Sequence, residues 1–417
     1  MSPGPPPPLL PVPTQTSRQV KSTLHRLSTL YPSSFSLFAF WFSLSLLTLL
    51  PACSRTPDPG IPIPNPRILG GLGDTPGRYG YPRCIEADPL TSTLWVIDRT
   101  ARVQRIDPQT GRCLGFFHTP ESNLGKPCGL DIAPGLDEHD HWTDSLLYIA
   151  DTHYHRVLIY HPPAPVTDER KREIAPPIVA SIGTYGRDPG QFIYPTDVAV
   201  LLTPDGRRVD RLYVSEYGGN DRISVFEAGP TSHDFTFKFS FGAMGNSADP
   251  AKIEFNRPQS LAIDHTKSPP RLIVTDSCNH RIGVFALDGR LIRWLGTPDA
   301  PSLNEIPPQP NTIDIPATPA AGTGHRIAVV GQPVKLLYPY GLRLLPDGTA
   351  LISEFGAARM QQVDLDTGNC LASWGRPGRD PGELAAPWAL TTLASTVYLL
   401  DSGNNRIQAF PTPPPRN

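Results

Sequence analysis

The sequence carries almost no net charge: 37 Lys and Arg stand against 39 Asp and Glu, a formal −2 at pH 7. No stripe of Lys and Arg interleaved with aromatics breaks that balance, so nothing argues for nucleic acid or for electrostatic adhesion to an anionic membrane. No C-x-x-C-H run is present, which removes the usual sequence support for a haem-bearing electron-transfer protein. A confident membrane span is missing as well. The apolar stretch from Phe35 to Leu50 is short for one and is interrupted by serines. Extended helix is also disfavoured, because 51 prolines and 35 glycines are spread between short apolar runs. Such punctuation suits a β-rich chain.

What is present is a repeat. An apolar strand ends in Asp or Glu, a short polar turn follows, and then Arg precedes an apolar residue. The copies read LWVIDRTARV, LLYIADTHYHRV, LYVSEYGGNDRI, LIVTDSCNHRI, ALISEFGAARM and VYLLDSGNNRI. Their acids are Asp98, Asp151, Glu216, Asp276, Glu354 and Asp401, and their arginines Arg102, Arg156, Arg222, Arg281, Arg359 and Arg406. Recurrence in every copy speaks against a single catalytic centre. The pair is expected to fix the turn, the acid accepting hydrogen bonds and the Arg bracing nearby backbone.

Upstream of each copy stands a proline followed by an alternating strand, at Pro82, Pro127, Pro195, Pro258, Pro339 and Pro387. Downstream comes a further short strand: CLGFF, IVASIG, FKFSFG, LIRWLG or CLASWG. Four strands joined by tight turns make an antiparallel meander, the blade of a β-propeller. We letter them a to d outward from the axis. The sixth copy lacks its own outer strand, whereas RILGG, Arg67 to Gly71, precedes the first unit and resembles one. The expected fold is therefore all-β: a six-bladed propeller of four-stranded antiparallel blades, closed when an N-terminal outer strand completes the last blade. Closure of this kind leaves no open seam.

The segments GQFIYPTDVAV…RLYVSEYGGNDRISVF and YLLDSGNNRIQAF resemble NHL repeats, and the likeness extends over about residues 67–411. It implies a six-bladed propeller in an extracytoplasmic or scaffolding setting, and it implies little about activity, since the fold hosts binding modules, lyases and lactone hydrolases alike. At the front, Lys21, His25 and Arg26 precede the apolar stretch, which ends in Leu50-Pro51-Ala52-Cys53. A small residue before a cysteine, just after an apolar run, resembles a bacterial lipoprotein signal, with Pro51 in place of the usual small residue. The resemblance implies lipidation of Cys53 and anchoring in the bacterial cell envelope, with Ser54 pointing to the outer membrane. An ordinary signal peptide or a single anchor helix are the alternatives. Residues 1–20 are long for the leader of such a signal, so they are expected to be disordered or to precede the true start. The organisation expected is a targeting segment over 1–53, a linker over 54–66, the propeller over 67–411 and a disordered tail over 412–417.

Function is expected where the blades differ and still converge. Residues just after each proline should face one mouth of the axial channel. They are Arg83 and Cys84, Cys128, Thr196 and Asp197, Gln259 and Ser260, Tyr340, and Trp388. This mixed ring suits a small polar ligand or a peptide end, and equally a water-filled channel of satisfied side chains. Cys84 and Cys128 should be neighbours: two buried thiols, a disulfide, or a soft-metal pair. Cys113 and Cys370 sit at matching places in blades that do not adjoin.

Two enzyme families share the fold. The peptidyl-hydroxyglycine lyases resemble the repeat and hold zinc through histidines, yet no ring position is histidine. The lactonase type holds calcium through Glu, Asn and Asp, and here only Asp197, with Gln259 as a neutral oxygen donor, stands in the ring. Three insertions interrupt the pattern: Gly135 to Ser145, which gathers Asp137, Glu138, His139, Asp140, His141 and Asp144; Val166 to Glu173; and Thr297 to about Pro333. The first is the densest set of potential metal ligands, and the last is placed to cover the channel. His153, His155 and His280 fall in b–c turns and are expected at the surface. The reading is a lipid-anchored, monomeric binding or scaffold propeller for an unknown protein or small polar ligand. The alternative is a calcium- or zinc-dependent hydrolase or lyase.

Overall fold

Apolar and β-branched residues at period two give strands, and the intervening Gly, Pro and Asp residues end those of the blades after four to ten residues. The computed structural model describes residues 60–136, 142–166, 173–230, 234–296 and 330–415. Among them, strands a to d of blade 1 are Pro82–Asp88, Thr93–Asp98, Arg102–Ile106 and Cys113–His118. Blade 2 has Gly129–Leu136, Trp142–Asp151, Arg156–Tyr160 and Ile178–Ile182. Blade 3 has Pro195–Leu202, Val209–Glu216, Arg222–Ala228 and Phe235–Phe241. Blade 4 has Pro258–Asp264, Arg271–Asp276, Arg281–Ala286 and Leu291–Gly296, and blade 5 has Pro339–Leu344, Thr349–Glu354, Arg359–Asp364 and Cys370–Trp374. Blade 6 combines Leu390–Leu393, Thr396–Asp401 and Arg406–Pro411 with Arg67–Gly70 as its outer strand.

The closure expected from the sequence is found. Arg67–Gly70 runs antiparallel to Arg406–Pro411, with Leu69 opposite Ile407. Each strand a packs against strand a of the blades on either side, blade 6 against blade 1 included. Six apolar cores result, one at each interface between blades. The core between blades 2 and 3, for example, buries Tyr148, Val157, Ile159, Val198, Leu212, Val214 and Phe226. Each large side chain fully withdrawn from water contributes about 1.5–3 kcal/mol, which makes these interfaces the main cohesive term. No helix among the described residues is long and apolar enough to cross a membrane.

The repeated acid and arginine pair with each other in every blade. Every strand b ends on the acid and every strand c opens on the Arg. The ion pairs measure 2.8 Å for Asp98–Arg102, 2.9 Å for Asp151–Arg156, 2.7 Å for Glu216–Arg222, 2.8 Å for Asp276–Arg281, 2.6 Å for Glu354–Arg359 and 2.7 Å for Asp401–Arg406. In five blades the carboxylate also accepts a backbone N–H from the segment leading into strand a, from Gly80, Ile193, Asn256, Leu337 or Ala385. The guanidinium meanwhile donates to carbonyls of the d–a loop, as Arg281 does to Ser247 and Glu254 and Arg406 to Arg379, Asp380 and Glu383.

Three expectations are corrected. First, His280 is fully buried and His155 half-buried, so neither is a surface residue. Each stands just before the repeated Arg and reaches into the next blade. Tyr194 N–H donates to His155 Nδ1 at 3.2 Å and Tyr338 N–H to His280 Nδ1 at 3.0 Å. Asn405 and Asp221 hold the same place and accept from Tyr81 N–H at 2.7 Å and Arg257 N–H at 2.6 Å. His153 is half-buried as well, its ring 5.5 Å from that of Tyr194. Second, residues 60–66 are not a free linker. Ile63 is buried, donates its N–H to Gly382 O at 3.0 Å and joins the core between blades 5 and 6, while Gly375 N–H donates to Ile61 O. Third, Thr412, assigned to the tail, donates its N–H to Ser395 O at 2.9 Å. The targeting segment with Cys53, residues 137–141, most of the Val166 to Glu173 insertion and residues 297–329 lie outside the described residues.

Because Asn405 performs in blade 6 what His280 performs in blade 4, the His280→Asn variant should unfold near the wild-type urea midpoint. The His280→Ala variant strands the Tyr338 N–H and should lose about 1–3 kcal/mol. Equilibrium urea unfolding of the three proteins compares them, and equal losses for Asn and Ala would contradict the inter-blade bond.

Candidate functional site

All six strands a run the same way along the axis, so their first residues ring one end and their last residues the other. The residue before each proline is in the left-handed region: Tyr81 at φ 58°, Lys126 at 74°, Tyr194 at 49°, Arg257 at 61°, Tyr338 at 50° and Ala386 at 46°. The residue after it is bulged out of the ladder in four blades, at Arg83, Thr196, Gln259 and Tyr340. A left-handed turn followed by a bulge re-aims the chain toward the axis, as bulges do where a strand must present a side chain.

The strands enclose a cavity of about 310 Å³. Its lining brings together eight of the nine residues expected there: Arg83, Cys84, Cys128, Asp197, Gln259, Ser260, Tyr340 and Trp388. Thr196 is the exception. Its bulge turns the hydroxyl away, and it is fully buried against Ser215 Oγ at 2.7 Å and Pro258 O at 2.7 Å. Cys84 and Cys128 carry free, buried thiols, and burial pushes the Cys84 thiol well up.

The entrance is aromatic and cationic. Trp388 meets Tyr340 at 4.9 Å, Tyr81 at 5.7 Å and Phe355 at 5.9 Å between ring centroids, and Tyr340 stacks on Phe355 at 4.7 Å. Arg83 lies over the Trp388 ring at 4.8 Å, and Arg257 lies between Tyr217 at 4.7 Å and Tyr340 at 5.4 Å. Burial, and after it the charges of Lys126 and Arg83, pull His153 down to about 4, so the imidazole facing this region is neutral at pH 7. None of the three tyrosines in the Tyr-Pro pairs at 81–82, 194–195 and 338–339 was marked by the ring reading, although the dipeptide recurs plainly in the sequence.

A second layer lies two residues further along, four positions after each proline: Glu86, Asp131, Ala199, Ala262, Arg343 and Thr391. Glu86, Asp131 and Arg343 line the cavity beyond the ring predicted at the strand starts, since period two carries the same face inward. Arg343 donates to Glu86 Oε1 at 2.7 Å and Thr391 Oγ1–H donates to it at 3.0 Å. Asp131 Oδ2 accepts Val200 N–H at 2.7 Å, and Asp197 Oδ2 accepts Ser260 Oγ–H at 2.9 Å and Leu261 N–H at 2.8 Å. Burial raises Asp131 to about 7, with the Glu86 charge adding to it, and raises Asp197 to about 8 against those hydrogen bonds. Gly129 permits this approach, since a Cβ there would lie 2.4 Å from Asp197 Cα.

Among the described residues, no three His, Cys, Asp or Glu side chains gather as a metal would require. Asp197 and Gln259 both line the cavity.

No model of a known protein family matches the chain, and no curated protein does. Solved structures that resemble it include a streptogramin B lyase, 14% identical with a TM-score of 0.46 over 84% of this chain and 88% of its own. A virginiamycin B lyase from Staphylococcus aureus is 14% identical at a TM-score of 0.43, over 79% of each chain. A protein of unknown function from Bacteroides thetaiotaomicron is 13% identical at 0.49, over 82% of this chain and 72% of its own. The chain's own six four-stranded antiparallel sheets make it a six-bladed β-propeller.

Asp131 and Asp197 hold protons in the folded state that the unfolded chain releases near pH 4. Their contribution to stability is complete below that pH and is lost as pH rises through 7 and 8. Asp197→Asn keeps a neutral side chain throughout, so its melting temperature should fall less than the wild type's between pH 5 and pH 8. Thermal scans across that window check this, and parallel pH profiles would refute a protonated Asp197.

Proposed function

We propose that this chain is an exported, lipid-anchored propeller of the NHL type that binds a small polar ligand at the entrance to its axial cavity. One observation carries the reading: eight side chains of seven kinds, drawn from all six blades, converge on one cavity of about 310 Å³, a size suited to a small molecule. The repeated acid–Arg pairs are spent on the scaffold, so this lining is where the blades differ. A rigid ring presenting a variable inner wall fits recognition better than it fits a mobile catalytic apparatus. No cluster of three His, Cys, Asp or Glu among the described residues favours the calcium- or zinc-dependent hydrolase or lyase.

A thermal-shift screen of small polar compounds against the full chain in detergent should find stabilising ligands. Replacing Trp388 by Ala should abolish the shift while exposed Arg290→Ala leaves it intact. Stabilisation that survives Trp388→Ala would place binding elsewhere.

The anchor has its own test. In a bacterial host the wild type should incorporate labelled palmitate and sediment with membranes, and Cys53→Ser should do neither. Absence of label from the wild type would remove the lipoprotein reading.

A further inference from the structure

The entrance holds hydrogen-bond donors that the fold does not use. Arg83 Nε, Trp388 Nε1 and Tyr81 Oη are all buried and have no partner among the described residues. Trp388 is more than nine-tenths buried and lines the cavity. The Arg83 guanidinium finds one acceptor among the described residues, the Cys128 sulfur at 3.3 Å, and sulfur is a weak acceptor. No carboxylate of the described residues lies within ion-pair distance of Arg83, in contrast to the arginine of every b–c turn. These three donors belong together, since Arg83 and Tyr81 both contact the Trp388 ring.

The surrounding charges leave this end positive. Arg257 is held beside Tyr340, and Lys126 and Arg83 both bear on His153. Of the carboxylates, Glu86 is paired with Arg343, Asp221 accepts the Arg257 N–H, Asp131 is held by a backbone donor further along its strand, and Asp197, at its strand start, is held by the Ser260 hydroxyl and the Leu261 N–H. A buried donor left without a partner is destabilising, so three at one place are a standing cost that a ligand of opposite character would relieve.

We infer that the ligand is an oxyanion, a carboxylate on a small aromatic body, its oxygens taken by Arg83, Trp388 Nε1–H and Tyr81 Oη–H and its ring packed among Trp388, Tyr340 and Phe355. The inference rests on the ligand-binding reading and specifies its chemistry. A planar guanidinium matches a carboxylate in geometry as well as charge, and the aromatic wall selects what the carboxylate is attached to.

Benzoate, benzamide and benzylamine have nearly one shape and differ in charge, so they serve as probes, with binding to the full chain measured by calorimetry. Benzoate should bind about tenfold or more tightly than benzamide, and benzylamine should not bind. Arg83→Met should lose benzoate about tenfold, Arg83→Lys less, and Trp388→Phe, which keeps a ring and removes the Nε1–H, should weaken it severalfold. Arg290→Ala should bind as the wild type does, and unchanged melting temperatures show that each variant is folded. Equal affinity for benzoate and benzamide, unaffected by Arg83→Met, would overturn the oxyanion assignment and leave the binding reading standing. Preference for benzylamine would reverse the sign of the site. Failure of all three probes, together with an empty thermal-shift screen, would remove both readings.

Discussion

The structure depends on one buried ion pair used six times. A propeller blade must turn sharply between strands b and c while the chain entering strand a crosses the same face. That face would otherwise hold many unpaired backbone groups. The carboxylate at the end of strand b answers the N–H groups of the incoming segment, and the Arg at the start of strand c answers its carbonyls. Burying such a pair gives little net stability, because desolvation offsets the Coulomb gain. Its value lies in geometry: each copy fixes where strand a begins, and so where the residues after the proline point. Burial raises Asp276 to about 6 despite its Arg, the signature of a pair held for orientation at an electrostatic cost.

From that fixed start the inner wall follows in layers. The residue before the proline makes the left-handed turn, the next two form the entrance, and the residue four beyond it forms the waist. The scaffold dictates the positions and leaves their chemistry open. At the entrance the fold installs Arg83, Cys128, Gln259, Tyr340 and Trp388, and at the waist Glu86, Asp131, Arg343 and Thr391. The bond from the residue before the repeated Arg to the next blade is less uniform. Asn405, Asp221, His155 and His280 make it, while Ala101 and Ala358 at the same places have no side-chain acceptor. Two of the six interfaces therefore cohere through their apolar cores without it.

The fold was legible because its causes are local and repeated. Strand ends are written in the acid and the Arg, strand starts in the proline, and closure in the missing sixth outer strand, supplied by Arg67 to Gly70. Of the cavity lining, only the strand starts were legible. Thr196 was misplaced because a bulge can turn a side chain either way, and only the partners Ser215 and Pro258 decide which. Glu86, Asp131 and Arg343 were readable in principle, being two residues further along the same face. His280 was not, because its burial comes from the neighbouring blade, and the sequence of one blade does not show what the next lays over it.

Charge is what divides the cavity into two parts. The carboxylates of the inner wall are neutralised, Glu86 at the waist by Arg343, and Asp131 at the waist and Asp197 at its strand start by keeping their protons near neutral pH, at about 7 and about 8. Three ionised carboxylates there would set like charges together in a poorly solvated space and would draw cations inward. Protonated, Asp131 and Asp197 become donors as well as acceptors and leave the field at the entrance to Arg83, Arg257 and Lys126. Guanidiniums lying on aromatic faces keep their charge while shedding water, because the π cloud replaces part of the hydration and leaves the N–H edges directed elsewhere. The neutral waist and the positive entrance are therefore one arrangement, since an ionised Asp197 so close along the same wall would offset the charge on which an entering anion depends.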